Sequence, residues 1–187
     1  MASDYWSTIG RVSSGFGGHV AEYYARYRRG YPSSFIDTLL NSLALSSTDT
    51  IIDLGCGTGQ LSLPLASRVG RVIGVDPEPD MLRHARAAAL DGGTSNVEWV
   101  LGRAHDLVPI CAAHGDVGAV TLANAIHLVD RAQLLSDAKS VLRPGRGLAI
   151  IANGIPLWLQ DTRGSHALRT FLENWLGTDR GRLLRHR

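Results

Sequence analysis

Two rhythms of apolar residues alternate along this chain. Short runs apolar at successive positions occur at Thr50–Leu54, Arg71–Val75, Val97–Leu101, Val117–Ala123 and Gly147–Ala152. Between them, at Gln60–Arg68, Pro79–Leu90 and Arg131–Leu142, apolar residues recur every three or four positions. The first rhythm predicts buried strands and the second amphipathic helices. Gly70, Gly92-Gly93 and Pro144-Gly145 mark the ends of elements. Strands apolar on both faces, alternating with helices, predict an α/β fold with a doubly wound, mostly parallel sheet. Ahead of the sheet, His19–Arg28 reads as a helix with Tyr23, Tyr24 and Tyr27 on adjoining faces. Gly30-Tyr31-Pro32 breaks the chain, and Ser33 or Ser34 starts a second helix through Leu45, with Phe35, Ile36, Leu39, Leu40 and Leu43 at helical spacing. Residues 1–18 are rich in Ser and Gly without a period, which predicts a flexible arm before one domain over residues 19–187.

Composition narrows the class. The 187 residues are 44% hydrophobic and 19% charged, which is globular. A run of about 18 apolar residues, the minimum for a membrane helix, does not occur. The N-terminus lacks a basic flank followed by an apolar stretch, so no secretory signal is expected. Cys56 and Cys111 are too few for a disulfide framework or a structural zinc site, and the histidines show no acid–histidine spacing for another metal. A cytoplasmic chain without membrane partner or metal is the expectation. The net charge of +2, with 18 scattered arginines and the single Lys139, argues against a nucleic-acid partner, although Arg180, Arg182, Arg185 and Arg187 cluster in the tail.

Chemistry concentrates at Ile51-Ile52-Asp53-Leu54-Gly55-Cys56-Gly57-Thr58-Gly59-Gln60-Leu61, a strand running through a glycine-dense turn into a helix. Glycine permits positive φ and lets backbone approach a ligand closely. The third glycine stands at 59 and position 60 is Gln, so the Gly-x-Gly-x-x-Gly dinucleotide form is not met, and no Gly-Lys-Ser/Thr follows for a phosphate-cradling loop. Asp53 precedes the glycines and would point into the crevice, where its charge suits a cation. The second strand ends in Asp76, placed as an acid that accepts from ribose hydroxyls. A nucleoside carrying a positive charge and no pyrophosphate fits these features, and S-adenosylmethionine is such a molecule.

Asp53-x-Gly55-x-Gly57-x-Gly59, followed by Gly74-Val75-Asp76-x-x-x-x-Met81-Leu82, resembles the class I S-adenosylmethionine-dependent methyltransferases. The likeness is to the small-molecule branch that includes ubiquinone/menaquinone and trans-aconitate-type enzymes. It extends to Tyr27-Arg28-Arg29-Gly30-Tyr31-Pro32, to Ala125-Ile126-His127-Leu128-Val129-Asp130-Arg131 and to Val141-Leu142-Arg143-Pro144-Gly145. The resemblance implies S-adenosylmethionine as cofactor and a small-molecule acceptor methylated at oxygen, nitrogen or carboxylate. It implies a cofactor site at Tyr27, Asp53, Gly55, Cys56, Gly57, Gly59, Asp76, Pro77, Met81, Arg103, Ala104, Asn124 and Ala125. Within that site the Gly55–Gly59 backbone meets the methionine moiety, Met81 packs near the adenine, and Asn124 and Ala125 lie beside the sulfonium. Relatives carry an acid where this chain has Arg103, which shifts adenine recognition to the Ala104 backbone or to Asp106.

Methyl transfer from a sulfonium needs alignment more than a base. His127 is the candidate catalytic residue, and a hydrogen-bonded rim histidine is the alternative. Tyr23, Tyr27 and Tyr31 are candidates to close over the cofactor, or simply pack. Cys56 reads as a small filler rather than a nucleophile. After the fifth strand only a helix from about Ser165 to Leu176 is expected, without the family's antiparallel hairpin. The fifth strand is then an apolar edge to be covered by Trp158, Phe171 and Trp175, or paired with a second copy as a homodimer. A shortened, non-methylating module that binds the cofactor or serves assembly is the alternative function.

Overall fold

A computed structural model describes residues 15–152, 154 and 161–176, apart from the side chains of Leu172, Glu173, Trp175 and Leu176. The chain up to Ile150 forms one unit and the chain from Ile151 a second. In the first unit, two helices, α1 (His19–Tyr27) and α2 (Ser33–Ser42), precede the sheet. Then follow β1 (Thr50–Leu54), α3 (Ser62–Ala66), β2 (Arg71–Asp76), α4 (Pro79–Asp91), β3 (Val97–Leu101), α5 (Leu107–His114), β4 (Ala119–Ala123), α6 (Arg131–Val141) and β5 (Gly147–Ile151), whose last residue begins the second unit. The second unit contains α7 (Arg163–Leu176), whose first turn is capped by the Thr162 hydroxyl accepting from the Ser165 amide at 3.1 Å.

The five strands form a parallel sheet in the order β3-β2-β1-β4-β5. From the central β1 the chain winds outward through β2 and β3 and then returns to β4, so the topological switch lies between β1 and β4. β1, β2 and β4 are buried along almost their whole length, as strands covered on both faces must be. On one face Ile52, Leu54, Ile73, Val75, Val120 and Leu122 pack with Leu107, Ile110 and Cys111 of α5 and Leu134 and Ala138 of α6. α3 and α4 pack on β2 and β3, and α1 in turn on α4.

The predicted strands all form, with β4 starting at Ala119 rather than Val117. Three differences concern helices. α3 begins at Ser62, because residues 55–61 are used by the turn, where the Gly59 amide donates to the Cys56 carbonyl at 3.0 Å. α2 stops at Ser42 and Ala44 takes φ +50°. α5 has no counterpart in the sequence reading. Its LVPICAAH segment is nearly all apolar and contains Pro109, yet Pro109 sits in the first turn, where a helix needs no amide donor.

β5 hydrogen-bonds to β4 alone among the described residues, and Ile150 on it is exposed. Of the aromatics expected to cover that edge, Phe171 is 61% exposed, while Trp158 and the Trp175 side chain lie outside the described residues. Most of the N-terminal arm (residues 1–14) and the arginine-rich tail also lie outside them. Among the described residues no helix is long and apolar enough to cross a membrane.

Candidate active site

The carboxyl ends of β1, β2 and β4 converge on the glycine turn, and one lateral row of the sheet forms its floor. In register, Thr121 of β4, Asp53 of β1, Gly74 of β2 and Trp99 of β3 stand side by side. Asp53 is 1% exposed, and its two carboxylate oxygens accept from the Ser62 hydroxyl at 2.6 Å and the Thr121 hydroxyl at 2.8 Å. Burial raises its pKa from 3.8 to about 6, against the lowering effect of the two hydroxyls, with a smaller upward push from Asp76. The expectation that Asp53 points into the crevice is therefore corrected. Its oxygens are turned to Ser62 and Thr121 inside the protein, and its charge reaches the crevice through the field.

Gly74 has no side chain because none would fit. A Cβ there would stand 2.7 Å from the Trp99 ring. The indole uses that space and reaches Gly59, where a Cβ would meet it at 3.0 Å. The turn itself carries positive φ at Gly55 (+66°), Gly57 (+57°) and Gly59 (+88°), a conformation that side chains disfavour. At Gly55 the constraint is also steric, since a Cβ would lie 2.9 Å from the Ala125 Cβ. The turn is stitched to β2 by the Gly55 and Cys56 amides, which donate to the Val75 carbonyl at 2.8 and 3.0 Å.

Asp76 closes this stitching. Its Oδ2 accepts from the Gly57 amide and its Oδ1 from the Glu78 amide, both at 2.9 Å. It is 7% exposed, and burial raises its pKa while the two amides pull it down. Each carboxylate oxygen has a second lone pair, so the amides leave acceptor capacity for hydroxyl groups. Asp53 and Asp76 thus place two buried acids under one turn, and among the described residues neither has a cationic side chain bonded to it. This set fits a ligand that is cationic and bears vicinal hydroxyls.

The other predicted residues separate into those gathered here and those placed apart. Ala125 is buried against Gly55. Asn124 takes φ +56°, a conformation rare outside glycine, and its amide donates to the Tyr31 hydroxyl at 2.9 Å. Burial raises the Tyr31 pKa, and the fields of Arg28 (downward) and Asp53 (upward) both reach it, which locates Tyr31 at the same mouth. Met81 is 3% exposed within α4, and Pro77 is exposed. Arg103 is exposed, and its amide donates to the Asp106 carboxylate at 2.8 Å, which engages one oxygen of the acid considered for adenine. His127 is exposed on a 3-10 turn at Ile126–Leu128, with no hydrogen bond to it among the described residues. Cys56 is buried, and burial holds its thiol well above the ordinary range, which suits a filler. The tyrosine resting on the turn is Tyr24, whose Cε1 would lie 3.6 Å from a Cβ at Gly57, whereas Tyr27 is exposed and stacks on Tyr23. Sequence reading missed Tyr24, Ser62, Trp99 and Thr121 as parts of the site. For Thr121 and Trp99 the usable signal was their place in strands flanking β1 and β2.

A turn of positive-φ glycines after the central strand, an acid ending the next strand, and a topological switch beside them define a nucleoside-binding α/β site. Residues 51–145 match the family described as methyltransferase domain. The chain belongs to this family, the class I S-adenosylmethionine-dependent methyltransferases. An uncharacterized methyltransferase of Mycobacterium tuberculosis is 37% identical over 142 residues, covering 76% of this chain and 53% of the relative. The chain thus spans about half the length of that relative. Human tRNA (uracil-5-)-methyltransferase homolog A is 48% identical over 65 residues, 35% of this chain and 10% of that protein. Among solved structures, a candidate S-adenosyl-L-methionine-dependent methyltransferase from Methanococcus maripaludis superposes with TM-score 0.62 at 18% identity, covering 87% of this chain and 75% of that one, and shares the fold. The similarity to a protein named for tRNA, together with others named for RNA, corrects the exclusion of nucleic acid as a partner class. Net charge was a poor guide because it averages over the surface, whereas partner choice depends on local patches.

Proposed function

We propose that this chain binds S-adenosylmethionine at the glycine turn and transfers its methyl group to an oxygen, nitrogen or carboxylate of a small molecule. The observation carrying the cofactor half is the pair of buried acids, Asp53 and Asp76, at a turn whose Gly55 admits no Cβ. When bound, the cofactor supplies a methyl group already activated on a sulfonium. The protein's part is then to hold, orient and exclude water. Asp76, fixed by the Gly57 and Glu78 amides, accepts from the ribose hydroxyls. Asp53 favours positive charge at the turn through its field, because it is enclosed and its oxygens are turned inward to Ser62 and Thr121. The Tyr31–Asn124 hydrogen bond holds the chain after β4 beside Gly55 and Ala125. To His127, exposed on the following turn, we assign the removal of a proton from an acceptor that must lose one.

The small-molecule reading rests on the resemblance of Tyr27–Pro32 and Ala125–Arg131 to the small-molecule branch. The relative that shares three-quarters of this chain carries no substrate in its name, and the tRNA enzyme shares about a third. Transfer of label from methyl-labelled S-adenosylmethionine, assayed against a metabolite panel and against total RNA, tests this reading. Label in a metabolite fraction supports it, and label only in RNA replaces the acceptor class. Cofactor binding with no transfer to either would favour the non-methylating module.

A further inference from the structure

The last turns of the first helix and the two arginines that follow it form a largely solvent-exposed cluster beside the glycine turn. Tyr23 and Tyr27, one turn apart, are 59% and 65% exposed, and their rings stack at 6.1 Å with 21° between planes. Arg26 lies over the Tyr27 ring at 5.4 Å, and Arg28 over the Tyr24 ring at 5.7 Å. Arg29 follows, exposed. Arg68, Arg71, Arg83, Arg143 and Arg146 each pair with a carboxylate, whereas Arg26, Arg28 and Arg29 meet none within 4.0 Å among the described residues. The acid on the same helix, Glu22, is bonded to His19. Tyr24 ties this face to the chemistry, since the ring beneath Arg28 rests against Gly57.

Exposed tyrosine rings next to guanidinium groups that meet no carboxylate among the described residues have a definite complement. Tyrosine faces take up planar rings, and guanidinium forks take up carboxylate or phosphate in paired hydrogen bonds. We infer that this face of α1 receives the acceptor, and that the acceptor is a planar, conjugated molecule bearing an anionic group. The inference rests on the proposed methyl transfer and adds the substrate's chemistry to it. An anionic group held by Arg26, Arg28 and Arg29 beside the Tyr23–Tyr27 pair leaves the rest of the molecule directed along Tyr24 toward the glycine turn.

The test is equilibrium dialysis of phenyl phosphate against the full chain in the presence of S-adenosylhomocysteine. Benzyl alcohol serves as the planar neutral control and methyl phosphate as the anion without a ring. Phenyl phosphate is expected to bind saturably, about tenfold or more tighter than either control. Changing Arg26, Arg28 and Arg29 together to Gln should weaken it by about tenfold, and Tyr23→Ala with Tyr27→Ala by about fivefold. Unchanged circular dichroism melts show that these surface variants fold. Phenyl phosphate binding no tighter than methyl phosphate, or a triple-arginine variant within about twofold of wild type, overturns the inference. Separate calorimetry of S-adenosylhomocysteine keeps the two readings distinct, because its failure to bind sinks the cofactor site whatever phenyl phosphate does. Poly(U) and UMP then identify the source of the anion. Comparable binding of the two supports a free small molecule as the occupant, and about tenfold tighter binding of poly(U) overturns it.

Discussion

Replacing Asp53 by Asn isolates the electrostatic cost stored beneath the glycine turn. The wild-type carboxyl is fully enclosed, and moving its pKa from 3.8 to about 6 corresponds to ~3 kcal/mol of preference for the neutral form. The sign follows from proton counting. Between those two pH values the folded protein holds a proton that the unfolded chain has released. The contribution of this group to stability is therefore complete below pH 3.8, is lost as pH rises toward 6, and stays lost above it. Asparagine never carries the charge. Its oxygen can accept from one of the Ser62 and Thr121 hydroxyls, and its amide can donate to the other once that hydroxyl turns, at a cost of about 1 kcal/mol. Asp53→Asn is therefore expected to be ~1–2 kcal/mol more stable than wild type at pH 7.5 and to lose that advantage by pH 4.5. Urea unfolding of both proteins at the two pH values and equal ionic strength reads the difference. Asp49, Asp80, Glu98 and Asp116, whose pKa values are lowered by hydrogen bonds to their partners, contribute equally to both proteins and cancel. A stability difference between the two proteins that is the same at both pH values would refute the reasoning.

Three further outcomes follow from the same geometry. Gly74→Ala forces a Cβ to 2.7 Å from the Trp99 ring, so unfolding free energy should fall by ~1–3 kcal/mol with a shift in tryptophan fluorescence, and an unchanged urea midpoint would contradict it. Binding of the sulfonium form should favour ionised Asp53, so affinity for S-adenosylmethionine should decline on acidification from pH 7.5 to 5.5, and more steeply than that for S-adenosylhomocysteine; calorimetric titrations showing parallel profiles would argue against it. Asp76→Ala should abolish the preference for adenosine over 2′,3′-dideoxyadenosine that the wild type is expected to show in competition binding, whereas a preserved preference would remove Asp76 from the ribose.

The strands and the glycine turn were legible because each depends on local chemistry: continuous apolar runs for β1, β2 and β4, and a glycine density that side chains with positive φ would not tolerate. Asp76 was legible for the same reason, as a polar residue ending an apolar strand. The floor of the site was not. Thr121 and Trp99 join Asp53 and Gly74 only through strand register, which a single sequence does not state. The choice between Tyr24 and Tyr27 depends on the rotation of α1 about its axis, and with tyrosines on adjoining faces the apolar pattern does not fix that rotation. α5 escaped notice because its mostly apolar sequence has no period to read and its Pro109 suggests a break.

On the proposed reading, S-adenosylmethionine and its demethylated product both lie at the glycine turn with the ribose against Asp76. Isothermal calorimetry of the full chain with S-adenosylhomocysteine and, in parallel, with NAD measures this directly. One-to-one binding of S-adenosylhomocysteine with no heat from NAD is the predicted result. Saturable heat from NAD with none from S-adenosylhomocysteine would contradict it.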